Sequence, residues 1–131
     1  MSPIKMEKIE SALRLVIAYT EAVNRRDLSG MMDLFNEECL FEPAFPGLTG
    51  IQINGKSATA DYWKQFFTKN PTVVMKVEEV AGMGHRCFLR YSWEGLTTMA
   101  PGTDLRGADI FLEKNGLLTQ CYSYSKRSSD E

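Results

Sequence analysis

The second half of the sequence contains four segments that predict β-strands and follow one another through short turns. They run from Val73 to Ala81, Arg86 to Leu96, Thr103 to Glu113 and Leu117 to Ser125. Glycine-containing tripeptides at 82–84 and 114–116 supply two of the turns, and the second of them favours a β-hairpin. The apolar residues of the second segment recur at every other position: Cys87, Leu89, Tyr91 and Trp93. This pattern predicts an antiparallel sheet with one buried face.

The first half of the sequence predicts helices. Apolar residues at three- and four-residue spacing indicate a long amphipathic helix from about Lys5 to Arg25. A short second helix is expected from Leu28 to Phe35, where Asp27 can act as the N-cap. A third helix, with an aromatic face, is expected from Ser57 to about Lys69. The elements between the second and third helices are a short strand and a Pro- and Gly-rich loop, Cys39 to Glu42 and residues 43–55.

Helices followed by a run of antiparallel strands indicate the α+β class. The expected architecture is a strongly curved antiparallel sheet wrapped over three N-terminal helices. A length of 131 residues fits one domain over residues 1–131. Residues 126–131 are predicted to form a frayed tail.

Asp109 bears most directly on function, because it is a single carboxylic acid inside an apolar strand. Its neighbours from Gly107 to Leu112 are small or apolar, and the two-residue period of a strand places Asp109 on the same face as Phe111. A buried carboxylate is costly unless it is paired or takes up a proton. Two interpretations remain open at this point: a functional acid in a pocket, or a surface carboxylate paired with a nearby arginine.

The composition argues against several classes of function. A net charge of −2 and a pI near 5.5 give no electrostatic reason to expect nucleic acid. Three widely spaced cysteines without a CxxC argue against a disulfide framework or a zinc site, and a single histidine, His85, argues against a two-histidine metal site. No apolar run approaches the ~20 residues of a membrane span, and the N-terminus lacks a signal-peptide core. We expect a cytoplasmic protein without metal, cofactor, membrane or nucleic-acid partner.

Residues Gly50 to Ser57 match the phosphate-binding pattern G-x-x-x-x-G-K-[ST]. Such a loop requires a buried strand before it and a backbone nest around the phosphates. The preceding residues 43–49 contain two prolines and no strand pattern, and Ile51 and Ile53 are β-branched and unsuited to unusual loop dihedrals. We therefore interpret the match as accidental.

The segment from Tyr19 to Gly30 resembles the N-terminal signature of the nuclear transport factor 2-like superfamily, in particular its SnoaL-like and ketosteroid isomerase-like members. In that signature a tyrosine precedes an Asn-x-x-Asp-Leu helix end, here Asn24 to Leu28. Further matching features follow in the same order: Phe41-Glu42-Pro43, Gly55 before a helix with Trp63 and Phe66, Gly107 to Phe111, and Asn115-Gly116. The similarity covers roughly residues 11–124.

The resemblance implies a cone closed around an apolar pocket, and it implies roles for three residues. Glu42 falls at the position of the general base, where the isomerases have aspartate before proline. Tyr19 and a neutral Asp109 fall where two hydrogen-bond donors stabilise a developing enolate oxygen. We expect an aromatic lining for a small apolar or carbonyl-containing ligand, formed by Tyr62, Phe66, Tyr91, Trp93 and Phe111.

Other chemistries of the superfamily fit the sequence less well. The scytalone dehydratase type needs two histidines. The limonene epoxide hydrolase type needs Arg-x-Asp on one strand face, whereas Arg106 and Asp109 are three residues apart and point to opposite faces.

The functional hypotheses belong to different classes. One is a cofactor-free isomerase or cyclase that transfers a proton next to a carbonyl. Another is a non-catalytic binding or scaffold module in which Tyr19 and Asp109 simply hydrogen-bond each other. A third is a protein-interaction domain with a filled cone and an exposed apolar patch. In each case a homodimer formed through the outer sheet face is expected from the family, with Phe88 on that face.

Overall fold

The computed structural model describes residues 3–44, 50–97 and 104–128. The helices are α1 (Pro3–Arg25), α2 (Leu28–Met32) and α3 (Lys56–Lys69). The strands are β1 (Phe35–Glu42), β2 (Ile53–Asn54), β3 (Val74–Met83), β4 (Arg86–Glu94), β5 (Asp104–Lys114) and β6 (Leu117–Ser128). They form one sheet in the order β2-β1-β6-β5-β4-β3, antiparallel throughout except for the parallel pairing of β1 with β6. Three helices packed on a curved, mostly antiparallel sheet confirm the predicted α+β fold.

The core lies between the helices and the concave face of the sheet. The alternation predicted for β4 is confirmed, because Cys87, Leu89, Tyr91 and Trp93 are all buried. The three cysteines are buried, unpaired thiols, as expected of small core residues. No helix within the described residues is both long enough and apolar enough to cross a membrane.

The C-terminal end of α1 is hydrogen-bonded to the edge of the sheet at the start of β3. The side-chain amide of Asn24 donates to the carbonyl oxygen of Met75 at 2.9 Å and accepts from the Met75 N–H at 2.8 Å. Arg26 donates to the carbonyl oxygen of Val73 at 2.7 Å. These bonds satisfy backbone groups of Val73, just before the edge strand β3, and of Met75 within it, on the side that has no strand partner. The Asn-x-x-Asp signature therefore connects α1 to β3, while Asp27 caps α2 by accepting from the Gly30 N–H.

Several element boundaries differ from those predicted, and the larger differences are as follows. The second helix ends at Met32, and Phe35 starts β1 instead, because it pairs with Leu118 of β6. The predicted loop over residues 43–55 contains the short strand β2, which pairs with β1. Residues 126–128 were predicted to be a frayed tail, and this is wrong, since they pair in register with β5; residues 129–131 lie outside the described part of the chain.

The segment that matches the phosphate-binding pattern has a structural use of its own. Ile53 and Asn54 pair with Phe41 and Leu40, so their backbone belongs to the sheet. Lys56 lies 3.5 Å from the carboxylate of Glu37. The pattern thus falls across a sheet strand and a surface ion pair, which agrees with its interpretation as accidental.

Candidate functional site

Asp109 lies on the concave face of β5 and is only 2 % exposed. Its strand neighbour on the same face, Phe111, is fully buried, whereas Arg106 and Ala108 on the other face are exposed. This burial excludes the second interpretation, because a carboxyl group at this depth cannot be a surface partner of an arginine.

Two hydroxyl groups hold the carboxyl group of Asp109. The Tyr91 hydroxyl donates to Oδ1 of Asp109 at 2.9 Å. The side chain of Ser123, which is the residue opposite Asp109 on β6, forms a second hydrogen bond to it. Hydrogen bonds from both neighbouring strands fix the carboxyl group and supply partners that its burial requires.

Tyr91 reaches Asp109 because the residue opposite it on β5 is Gly107. A Cβ atom at Gly107 would overlap the ring and hydroxyl of Tyr91. The missing side chain lets the tyrosine ring lie across β5 toward the next inward-facing residue, Asp109. A glycine inside a strand often marks such a close approach.

Burial raises the pKa of Asp109 from its usual 3.8 to about 7, and the hydrogen bonds from Ser123 and Tyr91 act in the opposite direction. Near neutral pH this carboxyl group is therefore present in both its protonated and its ionised form. Burial also raises the pKa of the Tyr91 and Tyr19 hydroxyls well above the usual value, and the nearby Asp109 charge adds to the effect. Both tyrosines consequently remain protonated.

Tyr19 comes close to Asp109, but among the described residues it is not hydrogen-bonded to it. Its ring is buried and packs edge-on against Phe35, Trp63 and Phe111, with ring centres 5.9, 6.3 and 5.2 Å away. Among the described residues, the tyrosine that hydrogen-bonds Asp109 is Tyr91. The pairing expected between Tyr19 and Asp109 is therefore wrong, because α1 holds Tyr19 in the aromatic core.

A small cavity of about 10 Å³ lies next to the two partners of Asp109. This volume is close to that needed for one water molecule. The described residues that line it come from β1, the start of the loop after β1, α3, β4 and β6. They are Phe41, Ala44, Tyr62, Trp63, Phe66, Tyr91, Trp93 and Ser123. Of the residues predicted to line a pocket, Tyr62, Phe66, Tyr91 and Trp93 are here, whereas Phe111 packs behind them against Tyr19.

Glu42 does not meet Asp109 in this arrangement. Cys39 and Phe41 of β1 are buried, so the alternation of the strand places Leu40 and Glu42 on the opposite face. The Glu42 carboxylate accepts a hydrogen bond from Gln52 at 2.9 Å in an exposed position. The structure thus brings together Asp109, Tyr91 and Ser123, and it leaves the predicted general base outside that group.

Sequence reasoning did not include Ser123, Gly107 and Trp63 among the site residues, although it named Gly107 and Trp63 in the matching motifs. Ser123 could have been found from the hairpin at Asn115-Gly116, which sets the pairing of β6 with β5, although the register shift next to Glu113 obscures it. The signal for Gly107 was its place inside an apolar strand. Trp63 stacks on Phe41 with ring centres 5.8 Å apart and is one of the residues that line the cavity.

His85, in the turn between β3 and β4, is half exposed and has a specific partner. Its Nδ1 lies 3.2 Å from the carboxylate of Glu113, which also accepts from the Gly116 N–H at 2.7 Å. Across the described residues, no three side chains of histidine, cysteine, aspartate or glutamate are grouped so that they could hold a metal ion.

Solved structures of several bacterial proteins share this fold. A candidate ketosteroid isomerase from Kribbella flavida superposes with a TM-score of 0.78 at 14 % identity, covering 94 % of this chain and 83 % of its own. An NTF2-like protein of unknown function from Mesorhizobium loti gives 0.78 at 23 % identity, with coverage of 91 % and 93 %. A candidate polyketide cyclase from Sinorhizobium meliloti gives 0.71 at 18 % identity, with coverage of 84 % and 93 %. At these identities the likeness establishes the fold alone.

Sequence comparison identifies the family. Among curated proteins, none has a sequence that matches this chain significantly. The family model of the SnoaL-like domain matches residues 16–121, which is most of the chain and includes Tyr19, Glu42, Tyr91 and Asp109. The chain therefore belongs to the SnoaL-like family of the nuclear transport factor 2-like superfamily.

Proposed function

We propose that this protein is a cofactor-free enzyme that transfers a proton next to a carbonyl group of a small, largely apolar molecule, as an isomerase or cyclase. The single observation that carries the proposal is Asp109, a buried carboxyl group with a pKa of about 7 held by two hydroxyls beside an aromatic cavity. A general acid–base group works best when its pKa lies near the working pH. A buried carboxyl group with a raised pKa close to a cavity is therefore a candidate functional group.

The surroundings of Asp109 suit such chemistry. When Asp109 is protonated, the Tyr91 hydroxyl that it contacts can donate to a carbonyl oxygen in the cavity and would stabilise the negative charge that develops there. The aromatic lining excludes water, which strengthens these interactions. Two of the structural relatives are described as a candidate ketosteroid isomerase and a candidate polyketide cyclase, and both names denote reactions at carbonyl-activated carbon.

The size of the cavity restricts how a substrate enters. A molecule larger than one water requires some of the lining side chains to move. Ala44, Tyr62 and Ser123 are the half-buried residues of the lining and form its more exposed side. Rotation of the Tyr62 ring, which packs edge-on against Phe41 at 5.2 Å, would open this side.

Exchange of the hydrogens next to a carbonyl tests the proposed chemistry without knowledge of the natural substrate. Cyclohexanone and 2-cyclohexen-1-one in D₂O would be followed by proton NMR with the wild type, Asp109→Asn and the exposed control Asp61→Asn. We expect the wild type and the control to accelerate exchange, and Asp109→Asn to lose about 100-fold or more. Exchange that is no faster with the protein, or that is equally fast with Asp109→Asn, contradicts the proposal.

A non-catalytic module of the same fold is the second candidate, and the small cavity favours it. Aromatic rings fill most of the interior, with Trp63 in contact with Tyr19, Phe41, Tyr62, Phe66, Phe67 and Trp93. A filled cone needs no ligand to be stable. This candidate predicts that Asp109→Asn raises stability at neutral pH and changes no binding or exchange reaction.

Under either candidate we propose a homodimer formed through the outer face of the sheet. Phe88, Ile110 and Tyr122 lie side by side in register on β4, β5 and β6, each half-buried, and Tyr124 beside them is 58 % exposed. Such a continuous apolar row favours an interface. Light scattering should give twice the mass of the 14.8 kDa chain, and Ile110→Lys should give the single-chain mass. A monomeric wild type contradicts this proposal.

A further inference from the structure

We propose that the Tyr91 and Ser123 hydroxyls are the groups that touch the ligand's oxygen, and that Asp109 acts through them as a positioning residue. This inference rests on the proposed function and concerns how the buried acid communicates with the cavity. Tyr91 and Ser123 both line the cavity, and both hydrogen-bond Asp109. Asp109 itself is not among the described residues that line it.

The arrangement forms a layer of hydroxyls between the acid and the cavity. Tyr91 comes from β4 and Ser123 from β6, so they reach Asp109 of β5 from opposite sides. A hydroxyl has one donor hydrogen and two acceptor positions. When Asp109 is ionised, the Tyr91 hydroxyl donates its one hydrogen to Oδ1 of Asp109. Toward a ligand this hydroxyl can then act only as a hydrogen-bond acceptor. The Ser123 hydroxyl also hydrogen-bonds Asp109, and its Oγ lies 3.9 Å from the Sγ of Cys121.

Protonation of Asp109 reverses this polarity. The protonated carboxyl group can donate its own hydrogen to one of the two hydroxyls. That hydroxyl, of Tyr91 or Ser123, no longer has to donate to Asp109 and can donate a hydrogen bond into the cavity. When Asp109 is ionised, the site is therefore expected to accept a hydrogen bond from a hydroxyl group of the ligand. When Asp109 is protonated, the site is expected to donate a hydrogen bond to a carbonyl or ether oxygen of the ligand. The ligand class is a small ring compound bearing one such oxygen.

Asp109 is the group that sets this switch near neutral pH. The titratable groups around it are Tyr19 of α1, Tyr62 of α3, Tyr91 of β4 and Cys121 of β6, and burial raises the pKa of each. These hydroxyls and the thiol keep their hydrogens between pH 5.5 and 8.5. The pKa of Asp109, at about 7, lies inside that range.

Phenol and anisole provide a matched pair of probes, because both have a similar ring and only phenol can donate a hydrogen bond. Their dissociation constants would be measured from the fluorescence of Trp63 and Trp93, which line the cavity, and checked by ligand-observed NMR. The preference for phenol is the dissociation constant of anisole divided by that of phenol. For the wild type we expect this ratio to be about 3- to 10-fold larger at pH 8.5 than at pH 5.5. The preference should shrink by a similar factor at pH 8.5 in Tyr91→Phe and in Ser123→Ala.

Two exposed residues supply the controls, Tyr124→Phe and Ser125→Ala, which should keep the wild-type preference at both pH values. Asp109→Asn should remove the dependence on pH, and Ser123→Ala keeps the test valid if that variant does not fold. A preference that is unchanged in both Tyr91→Phe and Ser123→Ala overturns the inference while leaving the proposed function in place. Failure of both probes to bind the wild type overturns the inference, whereas the proposed function is judged separately by deuterium exchange.

Discussion

The hydroxyl of Tyr91 donates to the buried carboxyl group of Asp109 at 2.9 Å, from the neighbouring strand and across the backbone of Gly107. The bond joins a tyrosine on β4 to an aspartate two positions beyond the residue that faces it. This reach is available only because β5 presents no side chain at that point. The candidate site therefore depends on the Tyr91–Asp109 hydrogen bond and on the absence of a side chain at Gly107, which leaves space for the Tyr91 ring.

Replacement of Gly107 by alanine should break this relationship. The new Cβ would overlap the Tyr91 ring, which has aromatic neighbours such as Trp93 on its other side. We expect a loss of stability of about 1–3 kcal/mol, typical of an overpacked core, together with the loss of the Tyr91–Asp109 bond. Urea unfolding of Gly107→Ala measures the effect, with Ala108→Ser on the exposed face of the same strand as the control. Equal stability of both variants would show that the ring has room to move.

Asp109 should make the stability of the protein fall as the pH rises from about 4 to 7. The folded protein binds the Asp109 proton more tightly than the unfolded chain, since the pKa rises from 3.8 to about 7 on folding. The contribution of protonated Asp109 is thus fully present below the unfolded pKa and is lost as the pH rises through the folded pKa. The full difference is on the order of 4 kcal/mol.

The measurement is the difference in unfolding free energy between wild type and Asp109→Asn at several pH values, so that other titrating groups cancel. The Asp109→Asn variant should be more stable relative to the wild type at pH 8 than at pH 4.5. A difference that does not change with pH would mean that Asp109 keeps its ordinary pKa in the folded protein.

Glu42→Gln distinguishes the role implied by the family resemblance from the observed placement. Because Glu42 lies on the outer face of β1 and bonds Gln52, its replacement should change the deuterium exchange rate by less than about 3-fold. Exposed hydrogen bonds contribute little to stability, so the unfolding midpoint should also stay close to that of the wild type. A loss as large as that of Asp109→Asn would instead establish Glu42 as the general base, turned inward when the substrate is bound.

Asn24→Ala tests the connection between α1 and the edge of the sheet. The substitution removes both bonds to Met75 and leaves its N–H and carbonyl without a side-chain partner. We expect a loss of about 1–3 kcal/mol and faster amide hydrogen exchange at Met75. Asn36→Ala, which loses one exposed bond to the Glu38 N–H, is the control and should cost less. Equal losses of unfolding free energy in the two variants would mean that the Asn24–Met75 bonds stabilise the protein no more than an exposed hydrogen bond does.

The sequence by itself determined the class of fold and the face of the sheet on which Asp109 lies. Strand alternation has a period of two, so the pattern of Cys87, Leu89, Tyr91 and Trp93 gave the inward face directly, and it was confirmed. The same rule, applied to Cys39 and Phe41, already places Glu42 outward. The family resemblance led to the opposite expectation, because a matching position in a motif does not specify the direction of a side chain.

Only the tertiary structure decided which groups surround the acid. Strand alternation assigns a residue to a face but not to a neighbour, since neighbours depend on the register between strands that are separate in sequence. The pairing of β4, β5 and β6 placed Tyr91 and Ser123 beside Asp109, while the packing of α1 kept Tyr19 among aromatic rings. The volume left between those rings, about 10 Å³, likewise results from the packing of many side chains at once.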